Sequence, residues 1–508
     1  MNETLILLPL LFQFALAVLM LAFWFRVRIQ RNMSILGNAV NMLISASLLY
    51  RVWNDGILTV QAGNWQPPYG ITFVADTFAA LLTLLTAISG FAVAAFSAGS
   101  VTPARLRFGY FSTLQFLLLG LTGAFLAGDM FNLYVWFEII IISSFVLITI
   151  GGERAQIEGA IKYFALNILA SVIFLTAIAV LYGLTGSLNM ADLAQKMPQI
   201  PNKGLVGVCA LLFFVAFGIK SAVFPLYFWL PDSYHTPPAA VSAIFGGLLT
   251  KVGVYALVRV FSLIFRDDPF LSDTLALVAA LTLVAGGIGA LSQRNLRKIF
   301  SYLIICHIGY MIGGLSMFTQ VGFTGLVFYL THDIVVKTNL FMAAGVIYKI
   351  RGRNLLKNLG GLYAEYPRIS LLLAIPLFSL VGIPPLSGFW PKISLISAGV
   401  NTSRYWLTGC IIFASFITLY VIAKVWVEVF WKPNPAPEGR KRSDFEFFGD
   451  FKPYRKRLVL APIVFLSLIS LYIGLGAEHI QELSLRIAEE LSNPETYIQA
   501  VFKNEATQ

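Results

Sequence analysis

Long apolar runs alternate along this chain with short polar punctuation, and the runs are too long to be strands. Stretches able to cross about 30 Å of hydrocarbon begin near residues 5, 33, 72, 108, 131, 160, 204, 238, 270, 296, 321, 369, 405 and 458. The pattern predicts an all-α integral membrane protein of about 14 transmembrane helices. Two runs are interrupted: "FGIKSAVFPLYFWLP" carries Pro225 beside Lys220, and "GIPPLSGFWPKIS" carries Pro384 and Pro385 beside Lys392. Proline removes a backbone donor and clashes with the preceding turn, so both helices should break near their middles. A break frees carbonyls and helix ends that can hold water and charge at a depth where lipid would not. One such proline alone reads as a kink. Two, in corresponding places of two halves, point to an inverted-repeat transporter core that handles ions near the midplane.

Little of the chain lies outside the spans. Residues 57–74 alternate loosely around turn residues, which predicts a short outward β-hairpin. Beyond the last span, Ile480, Leu483, Ile487 and Leu491 share one helical stripe. That stripe suits an interfacial or partner-facing helix, with a solvated tail helix as the alternative.

Of the 508 residues, 58% are hydrophobic and only 12% are charged, about half the charge of a soluble domain. The net charge of +11 raises nucleic acid as a partner, and its distribution argues against one. With the N-terminus outside, the inward loops hold 22 Lys and Arg, the outward segments 7 and the spans 7. This split satisfies the positive-inside rule and predicts both termini outside; the expected location is a cell (plasma or inner) membrane. Cys209, Cys306 and Cys410 stand singly in apolar runs, which argues against disulfides, zinc and iron–sulfur clusters. The N-terminal run lacks a basic start and is too long for a signal-peptide core, so it reads as a retained first span.

Basic residues inside the spans are Lys162, Lys220, Lys251, Arg259, Lys337, Lys392 and Lys424, accompanied by Glu138, His307, His332, Asp333 and Glu428. Arg259, Lys424, Glu428 and Lys162 lie close enough to span ends to snorkel. Glu138, Lys220, Lys251, Lys337 and Lys392 fall near mid-span, where five unpaired charges would cost on the order of 12 to 17 kcal/mol. They must pair or line a wet interior. Burial favours a neutral amine and a nearby carboxylate favours the ammonium, so a lysine with a movable carboxylate partner can hold or release a proton. Glu138 and Lys220 have the types and depth for such a pair, with Lys251 as the next acceptor. His332 is a further relay candidate or a structural hydrogen-bonder. Asp333 and Lys337, four apart on a helix, can pair locally.

"FEIIIISSFVLI" around Glu138, the block from 217 to 257, "THDIVVKTNLFMAAG" from 331, "NLGGL" from 358 and "GIPPLSGFWPK" carry a family likeness. They resemble the antiporter-like proton-translocating subunits shared by respiratory complex I, membrane-bound hydrogenases and Mrp-type multisubunit cation/proton antiporters. Within that family the chain is most similar to the D subunits of the Mrp type, with Lys392 where the middle complex I pump subunit typically has a glutamate. The resemblance implies two inverted five-helix repeats, spans 4–8 and 9–13, with discontinuous helices 7 and 12. The corresponding regions are 1–106 (spans 1–3 and the hairpin), 107–266 (first repeat), 267–432 (second repeat) and 433–508 (basic loop, span 14 and amphipathic tail). It also implies a Glu138–Lys220 ion pair, a central Lys251 and an exit lysine at Lys392. His332 and Lys337 are five apart where the complex I motif has four, and Asp333 takes the four-spacing, which leaves the relay partner on span 11 open.

The expected activity is proton translocation along Glu138, Lys220, Lys251, His332, Lys337 and Lys392, with helix breaks at Pro225, Pro384 and Pro385. Such a subunit of a monovalent cation (sodium)/proton antiporter needs no cofactor or metal and is not an enzyme. Its partners would be the other antiporter subunits, including a larger A subunit and small membrane subunits, together with membrane lipid. The alternative within the family is a pump subunit of a redox complex. A passive scaffold and a polytopic enzyme using His235 or His332 are rivals of other classes; no nucleophile, base and orienting carboxylate share a motif that would support the enzyme.

Overall fold

The computed structural model describes residues 2–63, 65–266, 269–435 and 446–502. The 266/267 boundary therefore adjoins residues outside the described set. Arg440, Lys441, Arg442 and Lys503, which enter the loop-charge count, also lie outside it.

Two long helices open the chain, α1 (Asn2–Ala22) and α2 (Val27–Asp55). The expected hairpin follows as β1 (Leu58–Ala62) and β2 (Ile71–Ala75), antiparallel with Val60 opposite Phe73. The helices α3 (Thr77–Ser100), α4 (Pro103–Leu106), α5 (Tyr110–Leu126), α6 (Met130–Thr149), α7 (Arg154–Thr185) and α8 (Met190–Lys196) lead into the first broken segment, α9 (Lys203–Ser221) and α10 (Trp229–Tyr234). Next come α11 (Ala239–Ile244), a π-turn at Phe245–Leu249 and α12 (Thr250–Leu263), which form one continuous rod. The second half runs α13 (Pro269–Ser292), α14 (Leu296–Ser316), α15 (Gln320–Arg351), α16 (Leu362–Glu365), the broken pair α17 (Pro367–Val381) and α18 (Phe389–Asn401), and α19 (Tyr405–Trp426). It closes with α20 (Pro453–Leu475), α21 (Ala477–Ser492) and α22 (Pro494–Phe502).

Among the described residues, 12 helices are long and apolar enough to cross a membrane, so the chain is a multi-pass membrane protein. The shorter apolar helices α5 and α17 stand where the sequence pattern places spans 4 and 12.

The two halves share local construction. α6 and α14 begin at 130 and 296, and α7 and α15 at 154 and 320, the same interval in each case; α7 and α15 are both 32 residues long. Asp129 caps α6 and bridges to Asn189, while Asn295 caps α14 and bridges to Leu355, again at that interval. In both straps the bridge pairs the residues before one span with those after the next. Asp129 and Asn295, the corresponding residues of the two straps, are five spans apart, an odd number, as an inverted repeat requires.

Both broken helices are built alike. α9 ends on Ala222 in the left-handed region (φ 60°) and α17 on Gly382 (φ 85°). Each is followed by a cis X–Pro bond, Phe224–Pro225 and Pro384–Pro385, before the chain resumes as α10 or α18.

The tail departs from both of its expected settings. Of the expected stripe, Ile487 and Leu491 are buried, with Ala488 beside them, against the chain's own α15, α3 and α12, while Ile480 and Leu483 are partly buried. Arg486 donates to the Trp53 and Val52 carbonyls at 2.5 and 3.2 Å and stacks over the Trp53 ring. An amphipathic pattern records only that one face is covered; here the cover is intramolecular.

Candidate functional site

The interior polar groups converge on α15, whose residues 322–347 are buried all round. A helix that crosses hydrocarbon surrounded by protein can carry charge, because its partners come from neighbouring helices and not from lipid.

Lys251 is the centre. Its Nζ lies 2.7 Å from Asp333 Oδ2 and donates to the Gly246 carbonyl at 2.7 Å, and both side chains of the ion pair are fully buried. The π-turn explains the second contact, since its altered spacing frees carbonyls that a regular helix would consume. Glycine explains the approach of α15. A Cβ on Gly247 would collide with Thr338 Oγ1, and one on Gly246 would stand 2.6 Å from the Phe341 ring.

Asp333 is shared. Its Oδ1 lies 3.0 Å from His307 Nδ1, which also meets the Tyr329 hydroxyl at 3.0 Å. Lys337, one turn along α15, is buried, and its Nζ has no hydrogen-bond partner among the described residues. The local Asp333–Lys337 pairing expected from spacing is therefore not formed: Asp333 is held across helices by Lys251. Distance along a helix permits a pair, but tertiary packing decides which cation reaches the carboxylate.

Lys220 stands in the last turn of α9, buried, 3.3 Å from Ser171 Oγ and 4.6 Å from the Phe137 ring centroid. Glu138 Oε1 is buried without a hydrogen-bond partner among the described residues, and the ring of its neighbour Phe137 is the one that Lys220 stands over. The implied Glu138–Lys220 ion pair is thus open in this structure. A small cavity, on the scale of a water molecule, lies between Tyr163, Asn167, Lys220, Tyr234, Leu249 and Val252. It faces from Lys220 toward α12.

The second break corrects the symmetry suggested by the motifs. Lys220 precedes its break, whereas Lys392 follows its own, in the first turn of α18. The Lys392 ammonium reaches back across the gap to the Val381 and Leu380 carbonyls at 2.6 and 3.4 Å. Both lysines thereby sit at the C-terminal end of a first half-helix, where the dipole and unsatisfied carbonyls favour a cation. Lys392 also lies 5.5 Å from the centroid of Tyr310, whose ring stacks on Tyr329 at 4.8 Å.

His332 faces the break as well. Its Nδ1 is 2.8 Å from Ser387 Oγ, which continues to Ser470 at 3.0 Å and on to Ser379 at 3.1 Å. Gly388 permits this, because a Cβ there would collide with the Ser379 carbonyl and stand 3.0 Å from the His332 ring.

The residues near span ends divide. Lys162 pairs with Asp232 at 2.8 Å and Glu158 at 3.1 Å, Lys424 meets the Leu291 carbonyl, and Glu428 pairs with Lys432. Arg259 does not snorkel. It is buried against Asp76 at 2.5 Å, with the rings of Tyr255 and Tyr497 about it. His235 bonds the Pro231 carbonyl at 2.7 Å. Asp333 and His307 carry more of the site than their sequence context suggested. The available signal was an acid and an imidazole standing inside apolar runs, His307 on one span and Asp333 on the next.

A family model described as "NADH:quinone oxidoreductase/Mrp antiporter, TM" matches residues 127–418. A relative from Alkalihalophilus pseudofirmus, named as the D subunit of a Na(+)/H(+) antiporter, is 39% identical over 99% of this chain and 100% of its own. One from Bacillus subtilis that bears the same name is 40% identical over 98% and 99%. Among solved structures, a chain of the Mrp complex from Dietzia sp. superposes with a TM-score of 0.90 at 28% identity, covering 99% of both chains. A chain of the membrane-bound sulfane sulfur reductase, an archaeal respiratory membrane complex, gives 0.87 at 28% identity, covering 98% of this chain and 99% of that one.

Proposed function

Because this chain belongs to the NADH:quinone oxidoreductase/Mrp antiporter membrane family, we propose that it is the D-type subunit of a multisubunit Na+/H+ antiporter. In this reading it moves protons along a buried axis of Glu138, Lys220, Lys251, Asp333, His307, Lys337, His332 and Lys392, within a cell-membrane assembly of other antiporter subunits. The observation that carries the reading is the fully buried Lys251–Asp333–His307 cluster, with Lys337 unpartnered one turn away.

Two lysines compete for one carboxylate. When Asp333 holds Lys251, Lys337 lacks a counter-charge; if Lys251 turns away, Asp333 is one helical turn from Lys337 and can hold it instead. The exchange transfers the stability of an ammonium from one lysine to the other, and with it the proton. The open Glu138–Lys220 couple supplies a second movable carboxylate upstream. Buried polar atoms without partners among the described residues line the way: Tyr234 OH, Ser221 Oγ, Thr250 Oγ1, His307 Nε2 and His332 Nε2. Each would cost about 1–3 kcal/mol in a dry interior, so the arrangement favours a hydrated axis. A charge crossing the full potential gains about 2.3 kcal/mol per 100 mV, enough to bias such exchanges.

Lys220→Ala and Glu138→Ala should abolish sodium-dependent proton flux in vesicles while the complex still assembles, and normal flux in both would sink the reading. The second reading, a pump subunit of a redox complex, is favoured by the likeness to the sulfane sulfur reductase chain. Flavin or iron–sulfur absorbance in the purified intact assembly would select it. In either case the regions 1–106, 107–266, 267–432 and 433–508 serve as N-terminal spans, two inverted repeats and tail, with both termini outside.

A further inference from the structure

A groove of about 650 Å³ lies where three membrane-spanning helices end together, and none of the residues on the proposed proton axis lines it. Lys203 opens α9, Leu263 closes α12 with Ile264 and Phe265 after it, and Leu271 stands in the first turn of α13. α9 packs on α7 and α12, and α13 on α14 and α19, so α9 and α13 form the two sides of the groove and the buried end of α12 its floor. The start of α22, with Pro494 and Glu495, borders it from the tail.

Sides and rim differ in chemistry. Beside the groove, Leu205, Val208 and Leu211 of α9 and Phe270 and Leu277 of α13 are exposed apolar side chains, as expected of span faces turned to hydrocarbon. At the rim, where these spans end, stand the exposed Lys203, Arg266 and Glu495. Lys203 donates to the Pro198 carbonyl and Arg266 to the Ser492 carbonyl, each at 2.8 Å, and neither has a carboxylate within ion-pair distance among the described residues. Two cations and one carboxylate therefore sit at the mouth of an apolar slot, at the depth of a membrane–water boundary. The volume is that of a small-ligand site.

We propose that this groove binds one phospholipid whose headgroup carries both a phosphate and an ammonium. The phosphate meets Lys203 and Arg266, the ammonium meets Glu495, and an acyl chain lies between α9 and α13 over Phe265. A purely anionic headgroup answers the two cations but brings negative charge to Glu495. Asp267 and Asp268, next in sequence after Arg266, lie outside the described residues and add acid to the same loop. The complementary headgroup is therefore zwitterionic. α9 lies in the first half of the chain and α13 in the second, so the lipid fills a seam between them.

Gly207 makes the site testable. It lines the groove half-buried on α9, and a Cβ there would meet nothing within 4 Å, so a larger side chain fills the groove without a clash at its root. The complex is reconstituted in vesicles of phosphatidylethanolamine and phosphatidylglycerol in equal parts, with a benzophenone side chain in place of Gly207, and the photo-adducts are weighed. Phosphatidylethanolamine adducts should exceed phosphatidylglycerol adducts by about two- to fivefold, as an exposed ion pair allows, and Glu495→Lys should reverse that preference. Equal adducts, a phosphatidylglycerol excess, or a preference that Glu495→Lys leaves unchanged would overturn the assignment. An adduct to another subunit would overturn it too, because protein and not lipid would then cover the groove. Should the benzophenone variant fail to assemble, Gly207→Leu decides: it should remove one phosphatidylethanolamine from the complex in native mass spectrometry, and an unchanged count refutes the site.

Discussion

Asp333→Asn is the sharpest perturbation of the central cluster. It preserves size and shape but removes the only charge within ion-pair distance of Lys251 among the described residues, leaving that ammonium with the Gly246 carbonyl. Both side chains of the pair are fully buried, away from bulk solvent. Removing one partner of such a pair costs about 3–5 kcal/mol, because the other charge stays buried and uncompensated. At about 1.4 kcal/mol per factor of ten, the charged form of Lys251 becomes less populated by roughly two to four orders of magnitude. A transport cycle that passes through charged Lys251 slows by a comparable factor. The assay is sodium-dependent proton flux, read by a pH-sensitive dye in everted vesicles, beside a native gel for assembly. Asp333→Glu, which restores the charge, should recover measurable flux. An assembled Asp333→Asn complex with wild-type flux would refute the idea that Lys251 works through this carboxylate.

Four further outcomes follow from the geometry. Gly388→Ala should place a methyl against the Ser379 carbonyl and the His332 ring, costing about 1–3 kcal/mol and lowering flux more than assembly. Gly286→Ala should push α13 from α14, since its Cβ would collide with the Cys306 amide, and the loss should appear in the Tm of the purified complex. Arg259→Ala strands Asp76 and should cost about 3–5 kcal/mol, read as a lower Tm, with Arg259→Lys intermediate. The Glu490 acid is raised from 4.5 to about 7. Its contribution to docking of the tail is thus fully present below the unfolded value and lost as pH rises through about 7. Amide exchange in α21 should accelerate across that window, and Glu490→Gln should remove the change.

The sequence by itself determined the membrane class, the order of spans, the hairpin and the two breaks. These depend on local composition: long apolar runs exclude water whatever surrounds them, and proline breaks a helix wherever it falls. It also determined which ionisable residues lie too deep to be unpaired, because that cost depends on depth. Only the tertiary structure decided who pairs with whom. Asp333 stands at a pairing spacing from Lys337 on one helix, yet glycines at 246 and 247 bring the neighbouring helix close enough for Lys251 to take it. The sequence places Lys220 before its proline break and Lys392 after its own, but only the structure shows Lys392 reaching back across the gap to the Val381 carbonyl, so that both stand at the end of a first half-helix. Arg259 reads as a snorkelling residue until Asp76 and the tail close over it. A pairing energy depends on a few ångströms between helices distant in sequence, and no local pattern encodes that separation.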